Sequence, residues 1–154
     1  MAVEIERKFL INEAKWQPVD EGVNIRQGYL CTDKERTVRV RTKGNKGYLT
    51  IKGQTEGLSR LELEYEIPLE EATQLLDNLC HRPLIEKTRH IEEHLGHIWE
   101  IDVFFGDNEG LIVAEVELSS EEEEIDLPDW IVEEVSHDKR YYNSCLSQKP
   151  YTTW

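Results

Sequence analysis

Charged side chains recur at every second position of this chain, and they come in same-sign groups. Glu4, Glu6 and Lys8 share one parity, with Val3, Ile5 and Phe9 on the other. Arg39 and Arg41 alternate with Val38 and Val40, and Thr50 and Lys52 with Leu49 and Ile51. Arg60, Glu62, Glu64 and Glu66 alternate with Leu61, Leu63, Tyr65 and Ile67. Further on come Lys87 with Arg89, Glu100 with Asp102, and Glu115 with Glu117, the last two pairs opposite apolar positions. An ordinary half-buried strand turns such charges to water. Here nearly every polar position is ionised, and like charges two apart on one face repel unless an opposite charge lies between them. Paired carboxylates call for a divalent cation, and rows of Arg and Lys call for a polyanion. Together they describe a metal–phosphate site.

The period of two also defines the elements that must position these groups. It predicts strands over 3–10, 25–31, 36–43, 47–53, 60–67, 84–91, 97–104 and 111–118, with Gly- and Asn-containing turns between several of them. Residues 69–80 predict a helix, with Leu69, Ala72, Leu75, Leu76 and Leu79 on one face and acids in its first turn. Residues 138–147 predict a second, with Asp138 as its starting cap. Eight strands and few helices make a mainly β (α+β) fold with an antiparallel sheet. A closed barrel removes exposed edges and leaves an interior for side chains or a small ligand. A two-sheet sandwich is the alternative.

The length of 154 residues predicts one domain, 1–154, large enough to bury a core. With 18 Lys plus Arg against 32 Asp plus Glu, the net charge is −14. That balance excludes a general nucleic-acid binder or an anionic-membrane binder, since both need a cationic face. No apolar run approaches the ~18 residues of a membrane span, and the N-terminus has acids where a signal peptide has bases. Cys31, Cys80 and Cys145 are odd in number and widely spaced, which fits reduced thiols and a cytoplasmic location. The charged faces hold seven cations (Lys8, Arg39, Arg41, Lys52, Arg60, Lys87, Arg89) and nine acids, leaving −12 to the remainder. Two divalent ions would make that inner balance positive.

The ordered set of these motifs resembles the CYTH superfamily, the triphosphate tunnel metalloenzymes. It runs from the E-x-E-x-K of Glu4, Glu6 and Lys8 through the R-x-R of Arg39 and Arg41, the T-I-K-G around Lys52 and the S-R-x-E-x-E ending at Glu64. It continues through the E-K-T-R around Lys87 and Arg89, the E-I-D of Glu100 and Asp102, the E-V-E of Glu115 and Glu117 and the D-K-R-Y of Asp138 to Tyr141. The resemblance implies an eight-stranded antiparallel barrel open as a tunnel, charged inside, with its apolar faces outward under helices, loops or a partner chain. It implies phosphate clamps at Lys8, Arg39, Arg41, Lys52, Lys87 and Arg89, closed by Lys139 and Arg140 from the C-terminal segment. It implies one or two Mg²⁺ or Mn²⁺ on Glu4, Glu6, Glu62, Glu64, Asp102, Glu115 and Glu117. One ion would neutralise phosphate charge and a second would activate water. Glu4, Glu6, Lys8 and Lys87 are the expected catalytic set.

The compact chain and its likeness to short members favour inorganic triphosphate as the small-molecule partner, cut to pyrophosphate and phosphate. Nucleoside or thiamine triphosphate hydrolysis, adenylate cyclase activity and a non-catalytic polyphosphate- or nucleotide-binding module are the alternatives. A base or thiazole would need an aromatic pocket at the tunnel mouth, for which Tyr29, Tyr48, Trp99 and Tyr141 are candidates. His90 to His94 matches an H-x-x-E-H pattern, but that zinc chemistry needs a helix, and the segment reads as strand and turn.

Overall fold

The computed structural model describes residues 3–154. Its strands are β1 Val3–Ile11, β2 Val23–Asp33, β3 Arg36–Lys43, β4 Lys46–Gly53, β5 Ser59–Ile67, β6 Ile85–His94, β7 His97–Phe104, β8 Ile112–Glu117 and β9 Ile131–Glu134. The helices are α1 Leu69–Asn78 and the single turn α2 Asn143–Leu146. The first eight strands stand where the alternation predicts them. The ninth, Ile-Val-Glu-Glu, is too short to show a period.

The strand order is β5-β4-β3-β2-β6-β7-β8-β1, and β1 returns to β5, so eight strands close a ring of antiparallel pairs. Closure is short: Val3 faces Leu61, Glu4 faces Arg60 and Ile5 faces Ser59. Beyond it, the second half of β1 takes β9 on the same edge, with Phe9 facing Glu134 and Leu10 facing Glu133. Ring closure rules out the sandwich.

Hairpins set the register of neighbouring strands. Leu95 and Gly96 both have positive φ, at 46° and 86°, and form the two-residue turn between His94 and His97. Two positive φ values match the right-handed strand twist. Asn-Gly suits such a turn better than Leu-Gly, because asparagine's short polar side chain hydrogen-bonds locally and offsets the crowding of Cβ against the carbonyl there.

Two of the three apolar clusters lie outside the ring. In the first, Phe9, Trp99, Ile101, Ala114 and Val116 pack against Trp16 and Trp130. Another cluster fills one end of the ring from within: Ile85, Phe104 and Val113, on the same strand faces as Lys87, Asp102 and Glu115, pack against Val135, Tyr141 and Leu146. Helix α1 seats Ala72 and Leu76 on Val40, with Leu30, Leu49 and Ile67 around them. Its approach needs Gly47, since a Cβ there would lie 2.6 Å from that of Ala72. Only the middle of the predicted apolar face is buried, and Leu69 and Leu79 are exposed. The outer face of β5 has no helix over it and leaves Leu61, Leu63 and Tyr65 exposed.

The second predicted helix is much shorter than 138–147. Asp138 accepts from the Arg140 amide and starts a 3-10 turn over Lys139–Tyr141, but Tyr142 is extended, with φ −69° and ψ 135°. That break lets Tyr142 and Asn143 turn back toward the barrel. No helix among the described residues is long and apolar enough to cross a membrane.

Candidate active site

With apolar parity turned outward, the ionised parity of seven strands converges inside the ring. A cavity of about 370 Å³ there is lined by the cations Arg39, Arg41, Lys43, Lys52 and Arg89. Seven carboxylates share its wall: Glu4, Glu6, Glu62, Glu64, Glu100, Glu115 and Glu117. Val3 and Asn143 complete it, and no aromatic ring lines it among the described residues. A smaller chamber of about 60 Å³ adjoins it, sharing Glu4, Glu6, Arg39, Lys52 and Asn143. The smaller chamber adds Lys8, Arg60 and the hydroxyl side chains Tyr29, Thr37, Thr55, Ser136, Tyr142 and Ser144.

Cross-strand register decides which charges meet. Lys52 Nζ lies 3.1 Å from Glu4 and 3.7 Å from Glu62. Arg39 and Arg41 share Glu64, at 3.6 and 3.4 Å. Lys8 Nζ lies 3.5 Å from Glu115 and donates to the Tyr141 carbonyl. Asp102, 2% exposed, takes Lys87 Nζ at 2.8 Å and both Nε and Nη2 of Arg89, while Arg89 also reaches Glu100. Nε of Arg39 and Nε of Arg41 are buried without an acceptor. Buried donors left unpaired are costly, so each is an open demand for an oxygen ligand.

Protonation follows this arrangement. Burial alone would raise the Asp102 carboxyl, but Arg89 and Lys87 hold it far below the usual carboxylate range. Burial pulls Lys87 down to about 8, against the opposing pull of Asp102. For Lys8, the facing Glu115 and Glu6 outweigh burial and hold the ammonium above its ordinary value. Burial, then the charges of Glu115 and Glu4, push Glu6 well up. Glu4 and Glu62 share one proton beside Lys52: burial and the hydrogen bond it donates to Glu4 raise Glu62 to about 7, and Glu4 stays ionised. Glu117 is also raised, by burial and by Glu4 and Glu100.

These raised carboxyls mark negative charge that the protein's own cations neutralise only in part. No three potential ligands among the described residues already converge as a metal cage. The donors nevertheless fit Mg²⁺ or Mn²⁺, being hard oxygens with Glu6 directly across from Glu117 and Glu100 across from Glu115. Mg²⁺ typically binds through one or two carboxylates and fills its shell with water and substrate phosphate oxygens.

Three sequence readings change here. Both oxygens of Asp102 are occupied by Lys87 and Arg89, and it lines neither chamber, so its geometry places it with the cations it orients rather than with the metal-facing carboxylates. Arg140 is exposed, holds Asp138 at 2.7 Å and stacks over Trp154, and Lys139 is exposed beside it. Neither reaches the tunnel. The C-terminal segment contributes Tyr142, Asn143 and Ser144 instead, with Asn143 Oδ1 accepting from Lys87 at 3.4 Å. Neutral residues in an aperiodic stretch carry no sequence signal for such a role. Of the aromatic candidates, Trp99 is fully buried in the outer core, Tyr141 packs in the cluster that fills one end of the ring, Tyr48 lies beside Arg41, and Tyr29 enters the smaller chamber. His90 sits on β6, with Nδ1 2.8 Å from Asp20, and the described residues form no metal-binding group around it.

A closed antiparallel ring with ionised residues inside and most of its hydrophobic core outside defines a tunnel protein built to hold a highly charged anion. The chain belongs to the CYTH family, matching the CYTH domain over residues 2–144. It is 49% identical over 151 residues to an inorganic triphosphatase of Acetivibrio thermocellus, covering 98% of this chain and 97% of that protein. It is 38% identical over 150 residues to an inorganic triphosphatase of Nitrosomonas europaea, covering 94% and 96%. The crystal structure of an inorganic triphosphatase, 35% identical, superposes with a TM-score of 0.67 over 94% of this chain and 97% of its own.

Proposed function

We propose that this protein hydrolyses inorganic triphosphate to pyrophosphate and orthophosphate with Mg²⁺ or Mn²⁺ as cofactor. The observation that carries the reading is the larger cavity: about 370 Å³, lined by five cations and seven carboxylates, with no aromatic ring in its wall among the described residues. The names of the relatives point the same way.

In this reading Arg41 and Arg89 hold the pyrophosphate end, and Arg39, Lys52 and Lys8 hold the terminal phosphate. Arg suits the task because its planar fork donates two parallel hydrogen bonds to one phosphate. Asp102, itself held by Lys87, fixes Arg89 from behind. Glu4, Glu6, Glu62, Glu115 and Glu117 would bind the metal, with Glu64 bridging Arg39 and Arg41. The bound ion would neutralise phosphate charge and lower the pKa of a water ligand. Water oxygen bonds to the terminal phosphorus as the bridging P–O bond breaks, pyrophosphate departs, and the water's proton passes to a wall carboxylate that the ion leaves free.

A substrate panel tests the reading. Triphosphate, ATP, thiamine triphosphate and pyrophosphate would be compared with Mg²⁺ and then Mn²⁺. Triphosphate is expected to give the highest kcat/KM, and faster conversion of ATP to cyclic AMP would overturn the assignment. Phosphate release from a Glu115→Gln variant separates an enzyme from a non-catalytic binding module. It is expected to fall at least a hundredfold, and equal release from both proteins would remove Glu115 from the mechanism.

A further inference from the structure

The two chambers divide the tunnel charge unequally. The larger one has more carboxylates than cations, five cations against seven acids. The smaller one reverses this, with Lys8, Arg39, Lys52 and Arg60 against Glu4 and Glu6. Arg60 doubles that excess of cations. Of the four cations in the smaller chamber it is the one with no carboxylate within 4.0 Å among the described residues, and the other three each have one. Its guanidinium donates only to the Gly53 carbonyl at 3.2 Å and to Thr37 Oγ1 at 3.5 Å. Beside it, Arg39 is 7% exposed and its Nε has no acceptor.

Size narrows the ligand. One water needs roughly 10–15 Å³ by the same measure, so about 60 Å³ takes a few oxygens. That has room for one tetrahedral anion in a space much smaller than the larger chamber. The walls come from the β4–β5 turn, through Thr55, and from the C-terminal segment, through Ser144. Hydroxyls of this kind both donate to and accept from a partly protonated oxyanion.

We infer that the smaller chamber is a metal-independent binding site for a single orthophosphate, centred on Arg60, Arg39 and Thr37. The origin of that anion rests on the triphosphatase reading: cleavage at the Arg39–Lys52 boundary releases orthophosphate on the Arg60 side and leaves pyrophosphate with the carboxylates and their metal. Binding itself does not depend on turnover.

The test is calorimetric titration of the full chain with orthophosphate in EDTA, where the larger chamber repels anions. Wild type is expected to bind one equivalent, and Arg60→Gln to weaken it about tenfold or more, as loss of a charged hydrogen-bond donor does. Thr37→Val is expected to weaken it less. Arg60→Lys, which keeps the charge and loses the fork, serves where Arg60→Gln fails to fold, and is expected to fall in between. In steady-state assays the orthophosphate inhibition constant is expected to rise in step with the dissociation constant. The inference is overturned if wild type binds orthophosphate only with metal, or if the Arg60 and Thr37 variants bind it as wild type does. Arg60-dependent binding by a protein that leaves triphosphate intact would support the site and remove the triphosphatase reading. Triphosphate hydrolysis with Arg60-indifferent orthophosphate affinity would do the reverse.

Discussion

Asp102 shows how one residue's partners fix its role. Its carboxylate is buried between Lys87 and Arg89, each 2.8 Å away. Asp102→Asn keeps the shape and removes the compensating charge, leaving two buried cations. Breaking a buried pair in this way costs about 3–5 kcal/mol, which a urea unfolding midpoint would register together with loss of activity. Glu62 leads to a different expectation. Its pKa is raised to about 7, so below that pH it carries a proton that a divalent ion must displace. Mn²⁺ affinity of the substrate-free protein is therefore expected to climb as pH rises from 6 to 8. A Glu62→Gln variant is expected to bind more weakly and to lose most of that slope, as read by calorimetry. The sign follows from the direction: a raised carboxyl is neutral below its pKa and a ligand above it.

At the scale of elements, hairpin turns and one helix decide where the charged rows stand. α1 covers β3 and β4, which carry Arg39, Arg41 and Lys52, and it depends on the missing side chain of Gly47 to come close. The β6–β7 turn offers a test with no bearing on the tunnel. Leu95 is exposed and left-handed, at φ 46°. Asn has the same Cβ, but its short polar side chain hydrogen-bonds locally and offsets a cost of about 1 kcal/mol in the left-handed region, so Leu95→Asn is expected to raise the unfolding free energy by up to about that amount with unchanged activity. Chemical denaturation measures it, and no gain would mean that the turn is not under strain. The strands themselves were legible because alternation is local. β9 and the C-terminal turns were not: Ile131–Glu134 spans only four residues, and Tyr142 breaks its helix through backbone angles that the residue types allow but do not require.

Across the whole molecule, the net charge of −14 sits uneasily with a triphosphate ligand until the tunnel is resolved into its parts. The larger chamber is itself acidic, so metal decides its sign. Chelation with EDTA is expected to weaken triphosphate binding at least tenfold, equivalent to about 1.4 kcal/mol, and Mg²⁺ to restore it. Undiminished triphosphate affinity in EDTA would argue that the cations alone suffice.

What the sequence by itself determined is parity: which residues share a face of each strand, and that one face is ionised. The mainly β fold, the ordered motifs and most tunnel-lining charges follow from that, because a period of two is written into neighbouring residues. Which parity turns inward is not local. It depends on β1 meeting β5 after the chain has gone round the ring, on two apolar clusters finding cover outside it and on a third filling one of its ends. Ion-pair partners are equally non-local. Asp102 belongs with the cations because β6 and β7 place Arg89 opposite it, and Arg60 stands without a carboxylate because the short β1–β5 seam sets it beside the smaller chamber. Charge pattern along a strand is a property of sequence, but the pairing of charges across strands exists only once the ring has closed.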